Sequence, residues 1–250
     1  MTVDHVRVAI AFLTLASSTL SAQDLTYAAT MDTAVYMSTN DYLMYFVNQG
    51  DTLGQPVSTS TRERRAIGGE GGALSLWVEL GDVAGGQVYS TTTYGISNVG
   101  RVVTVDGQPI AGRAGIRVDV LPRFPASLRG VDVGRTWTDS VETAATAPYG
   151  ETYYRAARTW RVVASRAGTV VMASQGVLAL RQGGWQDAGH QSAWWQEVSG
   201  EVMDSVWFDT DRHELMRSWT RMDLVGTGGF GDVTMPSGLR STVDLRRRGF

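Results

Sequence analysis

Beyond Gln23 the chain is written in runs of β-branched and aromatic residues punctuated by glycine, asparagine and aspartate. Almost nowhere does it carry an apolar stripe at the 3.6-residue spacing of a helix. That pattern confines it to an all-β fold with few, short helices. The clearest local unit is Val102-Val103-Thr104-Val105-Asp106-Gly107-Gln108-Pro109-Ile110, a hairpin whose Asp-Gly pair accepts the positive φ angles of a tight primed turn. A second hairpin is expected across Thr210-Asp211-Arg212-His213, which separates two aromatic runs. Residues 68–72 and 226–231, both rich in glycine, read as flexible connections, and Leu121-Pro122-Arg123-Phe124-Pro125 reads as an extended break near the midpoint. No repeat of fixed period is present, which argues against propellers and solenoids. Because no polar linker accompanies the midpoint break, residues 23–250 are expected to form a single β domain with a mid-chain crossover near 121–134.

Composition narrows the chemistry. With 43% hydrophobic and 19% charged residues in 250, the chain is able to build a core without disulfides or structural metal. It has no cysteine, which removes thiol catalysis, cysteine-ligated metals and lipid attachment through cysteine. None of the 22 basic residues is lysine, so Schiff-base chemistry is excluded. A net charge of −3 gives no electrostatic case for nucleic acid as a partner.

Residues 1–22 read as an export signal. Arg7 precedes the apolar run Val8-Ala9-Ile10-Ala11-Phe12-Leu13-Thr14-Leu15-Ala16, too short to span a bilayer, and small residues lead to Leu20-Ser21-Ala22. Cleavage after Ala22 leaves Gln23 first. The expected mature chain has no transmembrane segment and is periplasmic or secreted.

The motifs that usually announce catalysis are incomplete. Gly226, Gly228 and Gly231 match G-x-G-x-x-G, but neither a following helix nor a distal acid completes a nucleotide site. Asp209, Asp211, His213 and Glu214 form the densest cluster of ligand-type residues; the loop lacks the glycine and distal glutamate of a calcium-binding hand, so a polar turn is the better reading. Past residue 22 only His190 and His213 remain, which makes a catalytic zinc improbable. No serine sits in G-x-S-x-G. No metal, no cofactor and no enzymatic activity are expected.

The aromatics say more. Tyr153-Tyr154, Trp194-Trp195 and Trp207-Phe208 are adjacent pairs, and neighbouring residues of a strand point to opposite faces. A strand with a bulky ring on each side needs both faces covered, or one face lining an apolar hollow. On that basis Trp160, Trp194 and Trp207 are the candidate residues lining a ligand site.

Leu121-Pro122-Arg123-Phe124-Pro125, the run Val131-Asp132-Val133-Gly134-Arg135-Thr136-Trp137, and Val206-Trp207-Phe208-Asp209 with its following turn resemble uncharacterised exported bacterial β proteins. Those are similar in architecture to the periplasmic lipoprotein-carrier and lipid-binding fold. The resemblance implies an antiparallel sheet curled into an open half-barrel or partly closed barrel; it carries over no functional residue. The expectation is an exported, non-enzymatic binder of an apolar or amphiphilic ligand, such as a lipid, in the cell envelope. The alternatives are a structural or protein-interaction component of the envelope with a protein partner, and, less favoured, a secreted hydrolase.

Overall fold

The structure is a computed structural model that describes residues 25–30, 32–70, 73–110, 121–125, 132–147, 150–185 and 193–249. Residues 1–22, Val131 and His190 lie outside them. Among the described residues thirteen strands follow in order: β1 Ala34–Asn48, β2 Asp51–Leu53, β3 Val57–Glu70, β4 Ala73–Gly81, β5 Val88–Ile96, β6 Val102–Val105, β7 Gln108–Pro109, β8 Thr136–Ala147, β9 Gly150–Arg166, β10 Thr169–Trp185, β11 Ala193–Asp209, β12 Glu214–Phe230 and β13 Val233–Arg247. Among the described residues there is no helix.

All thirteen belong to one antiparallel sheet in the order β7-β6-β5-β4-β3-β1-β13-β12-β11-β10-β9-β8, with β2 folded back on β1. Two meanders therefore meet where the first strand pairs with the last. Between β7 and β8 the chain passes from one edge of the sheet to the other. No ladder joins those edges among the described residues, so the sheet is curled and not closed into a barrel.

Both expected hairpins are present. Asp106 and Gly107 take φ of 48° and 76° at the β6–β7 turn, and residues 210–213 connect β11 to β12. The strands are longer than their punctuation suggests, with four of 17 residues, about 56 Å each. Residues 226–230 are the end of β12 and not a flexible connection. A Cβ at Gly226 would collide with the Glu197 carbonyl of β11 and one at Gly200 with the Asp223 carbonyl of β12, so these glycines permit a close approach between strands. Gly176 likewise lies within β10, against the Ala157 carbonyl. All three share the inner face, where such glycines let a sheet coil tightly.

Alternation then sorts the side chains. Even positions of β9 to β12 and of β1 turn inward with odd positions of β3, β8 and β13, as their pairing registers require. At one end this concave face is plugged. Val162, Met172, Val206, Phe208 and Leu245 from one meander pack with Tyr36, Ile67, Leu76 and Tyr94 from the other. Two segments outside the ladders complete the plug. Leu25 and Tyr27 enter it at 1% and 2% exposure, and Tyr27 stacks on Phe124 with centroids 5.3 Å apart while meeting Phe208 edge-on. Residues 121–125 bridge the two halves: Phe124 N donates to Val99 O (2.9 Å), and Trp137 Nε1 donates to Arg123 O (3.2 Å).

Candidate ligand-binding face

From the plug outward, the concave face changes character in tiers because each strand supplies one inward residue per two positions. The first tier is ionic. Asp204 of β11 accepts hydrogen bonds from Ser174 Oγ (2.6 Å) and Thr220 Oγ1 (2.7 Å), and Arg158 Nε lies 2.9 Å from the same carboxylate. Arg158 also donates to the Tyr154 hydroxyl at 2.8 Å. Arg158, Ser174 and Asp204 are buried. The carboxylate is committed to holding three neighbouring strands, because its partners lie on β9, β10 and β12.

On the other meander the plug contains a second buried pair. Arg65 meets Glu63 at 2.6 Å and sits over the Tyr36 ring, 5.2 Å from its centroid. Tyr36 Oη donates to Leu215 O at 2.5 Å. Burial pushes the Tyr36 hydroxyl up to about 12, with the Arg65 charge opposing the rise, and drives Tyr27 well above the ordinary tyrosine range. Glu214 is raised as well, chiefly by burial, although Arg247 at 3.1 Å and Arg212 at 3.8 Å pull it down. A cavity of about 20 Å³, room for a single water, lies between Tyr36, Arg65, Glu214 and Leu215. It is too small for an organic ligand.

The second tier is apolar. Ala156, Leu178, Val198, Val202 and Leu224 form a buried cluster, flanked by partly buried Tyr154, Leu180, Met222 and Leu239. Along the same face of the sheet, inward positions of β1 and β3 stay open to solvent: Tyr42, which shares a cross-strand row with Met222, is 36% exposed and its partner Val57 37%. The far tier is amide-rich. Gln196 Nε2 donates to Ser237 Oγ (2.5 Å) and Gly238 O (3.1 Å), and Gln182 Nε2 donates to Gln196 Oε1 (2.9 Å) and reaches Met44 Sδ (3.8 Å). Beyond it stands an aromatic rim, where Phe46 and Phe230 rings lie 5.2 Å apart and Trp194 is the cross-strand partner of Phe230.

The three tryptophans expected to line one site are not brought together. Trp160 belongs to the plug, 5% exposed and stacked on Trp137 at 6.1 Å. Trp194 shares its face but lies about 33 Å farther along, ten residues from Asp204. Trp207 points to the convex face, where Arg217 covers its ring at 4.8 Å, because its neighbour Phe208 takes the inward position. The residues that do share the open stretch of the concave face, Tyr42, Leu180 and Met222, escape a search for adjacent aromatics. Their signal is the alternation of apolar residues, as in Leu178 and Leu180, which becomes informative once the inward parity of each strand is known.

At the β11–β12 turn Asp209 Oδ1 accepts the backbone N–H groups of Asp211 (3.0 Å) and Arg212 (2.9 Å), so this side chain caps the turn. His213 has φ of 56° and its Nδ1 lies 2.9 Å from Thr26 O, which fastens residues 25–27 to the plug. Among the described residues no group of three His, Asp or Glu side chains is placed to hold a metal ion.

Fold and face together define an all-β protein made of one curled antiparallel sheet, with a filled end and a partly open concave face. No protein-family model matches the chain, and no curated protein does. Among solved structures, Neisserial surface protein A (NspA) aligns over 86% of this chain and 99% of its own, at 9% identity and a TM-score of 0.19. Among the described residues no helix is long and apolar enough to cross a membrane.

Proposed function

We propose that the protein is an exported, non-enzymatic binder of an amphiphilic ligand in the cell envelope, which it holds on the concave face beyond the plug. One observation carries the reading. Level with and beyond the Arg158–Asp204 tier, Tyr154, Leu180, Met222 and Leu239 are only partly buried and share their face with solvent-exposed Tyr42 and Val57. An acyl chain laid there removes apolar area from water, at roughly 25 cal/mol per Å². The buried ionic tier and the plug bound its depth, and the rim of Trp194, Phe46 and Phe230 lies where a head group would meet solvent.

The test is titration of residues 23–250 with fatty acids and lysophospholipids, followed by native mass spectrometry and tryptophan emission. Saturable binding is expected. Val57→Arg with Tyr42→Arg should weaken it at least tenfold with the fold intact, since both side chains are exposed. No saturable binding, or binding indifferent to that pair, rejects the reading. Turnover of any ligand in the panel would restore the hydrolase alternative.

A further inference from the structure

Two arginine runs that lie far apart in the sequence meet across β1. Met37 pairs with Arg62 on one side and with Arg246 on the other. Val35 pairs with Arg64, and on its opposite side Arg248 N donates to Val35 O at 2.7 Å. Across the next ladder Arg217 faces Arg246. Alternation puts Arg62, Arg64, Arg217 and Arg246 on the convex face, away from the proposed ligand.

Their charge is incompletely balanced. Glu79 lies 3.7 Å from Arg62 and 3.3 Å from Arg64, and Asp244 lies 2.8 Å from Arg217 and 2.6 Å from Arg246. Each carboxylate is shared by two guanidiniums, so each group keeps one positive charge in excess, and the exposed Arg248 adds another. This is a local reversal of sign on a chain whose net charge is −3. Farther along the same face the signs alternate, with Arg240 paired to Asp223 at 3.4 Å and Glu197 and Glu201 exposed. Indole rings interleave the positive patch: Arg64 covers Trp77 at 5.7 Å and Arg217 covers Trp207 at 4.8 Å.

We propose that this convex patch docks on the surface of an anionic phospholipid membrane. It spans six neighbouring strands, about 24 Å, which suits an extended array of negative head groups better than one anion. Arginine mixed with partly exposed tryptophan is the pairing that head-group regions favour, through charge and through the amphipathic indole ring. The proposal stands independently of the concave-face reading, because no residue is shared between the two.

Flotation of residues 23–250 with vesicles tests it. Binding is expected to vesicles containing about 30% phosphatidylglycerol, to be lost at about 0.5 M salt, and to be absent from pure phosphatidylcholine. Arg64→Gln with Arg246→Gln and Arg248→Gln should reduce the partition coefficient at least tenfold, at about fivefold per arginine near such a surface. Arg155→Gln with Arg181→Gln, at the other end of the convex face, should change it less than about twofold, and circular dichroism should show both variants folded. Equal binding to both vesicle types, or equal losses in both variants, would overturn the proposal. So would retention on a soluble polyanion such as dextran sulfate with no vesicle binding, which would assign the patch to an acidic macromolecule.

Discussion

Arg158 and Asp204 meet between two apolar clusters that would otherwise run together, and the cost of separating their charges can be measured. Asp204→Ala removes the carboxylate beside a buried guanidinium and strips Ser174 and Thr220 of their acceptor. A loss of about 3–5 kcal/mol is expected in urea unfolding, whereas Arg158→Met combined with Asp204→Leu should cost distinctly less than the single change, since no charge is stranded. Tyr36 makes a prediction with pH. Its hydroxyl, held up to about 12 against an ordinary 10.0, keeps its proton in the folded chain while the unfolded chain loses it. That contribution is fully present below pH 10 and is lost as the pH climbs through 12, amounting to about 3 kcal/mol. Tyr36→Phe should give up about 1 kcal/mol at neutral pH with the Leu215 hydrogen bond, then fall less steeply than the parent through the alkaline range. Unfolding curves at a series of pH values would show whether the two lines converge.

Among the elements, β10 and β11 have partners along both edges for their full length, whereas β8 has β9 on one side only. Amide hydrogen exchange should therefore protect β10 and β11 most and release β8 early; the reverse order would contradict this strand arrangement. Gly200→Val should destabilise by about 3 kcal/mol, because its side chain would press on the Asp223 backbone, which cannot turn aside. The same glycines explain what could and could not be read from the sequence. Asp106-Gly107 was legible as a hairpin because a primed turn is a local requirement. Residues 226–230 looked like a loop because the reason for Gly226 and Gly228, the carbonyls of Glu197 and Trp195 in β11, is about 30 residues away in the chain. The three candidate tryptophans lie apart for a related reason. Adjacent aromatics reveal that opposite faces are both occupied, but not which parity is concave, and that choice is made by cross-strand registers such as Trp207 with Arg217.

At the scale of the molecule, both meanders depend on a ladder between the first strand and the last. Tyr36 pairs with Arg247, Phe46 with Ser237, and Ser241 Oγ donates to Asn40 Oδ1 across 201 positions of chain. Removing residues 232–250 should leave no cooperative thermal transition, since each half then exposes a long unpaired edge and the plug loses Leu245; a sharp melt in the truncated chain would show that one meander folds alone. The order in which any chain is made gives this closure a further meaning. β1 is synthesised well before its partner β13, so one side of β1 stays unoccupied until all the strands between them have been made. During that interval the bare strand is a template for pairing with other nascent copies. The hazard for this protein is thus one of timing: a chain interrupted before Val233 is expected to aggregate more readily than one that includes β13.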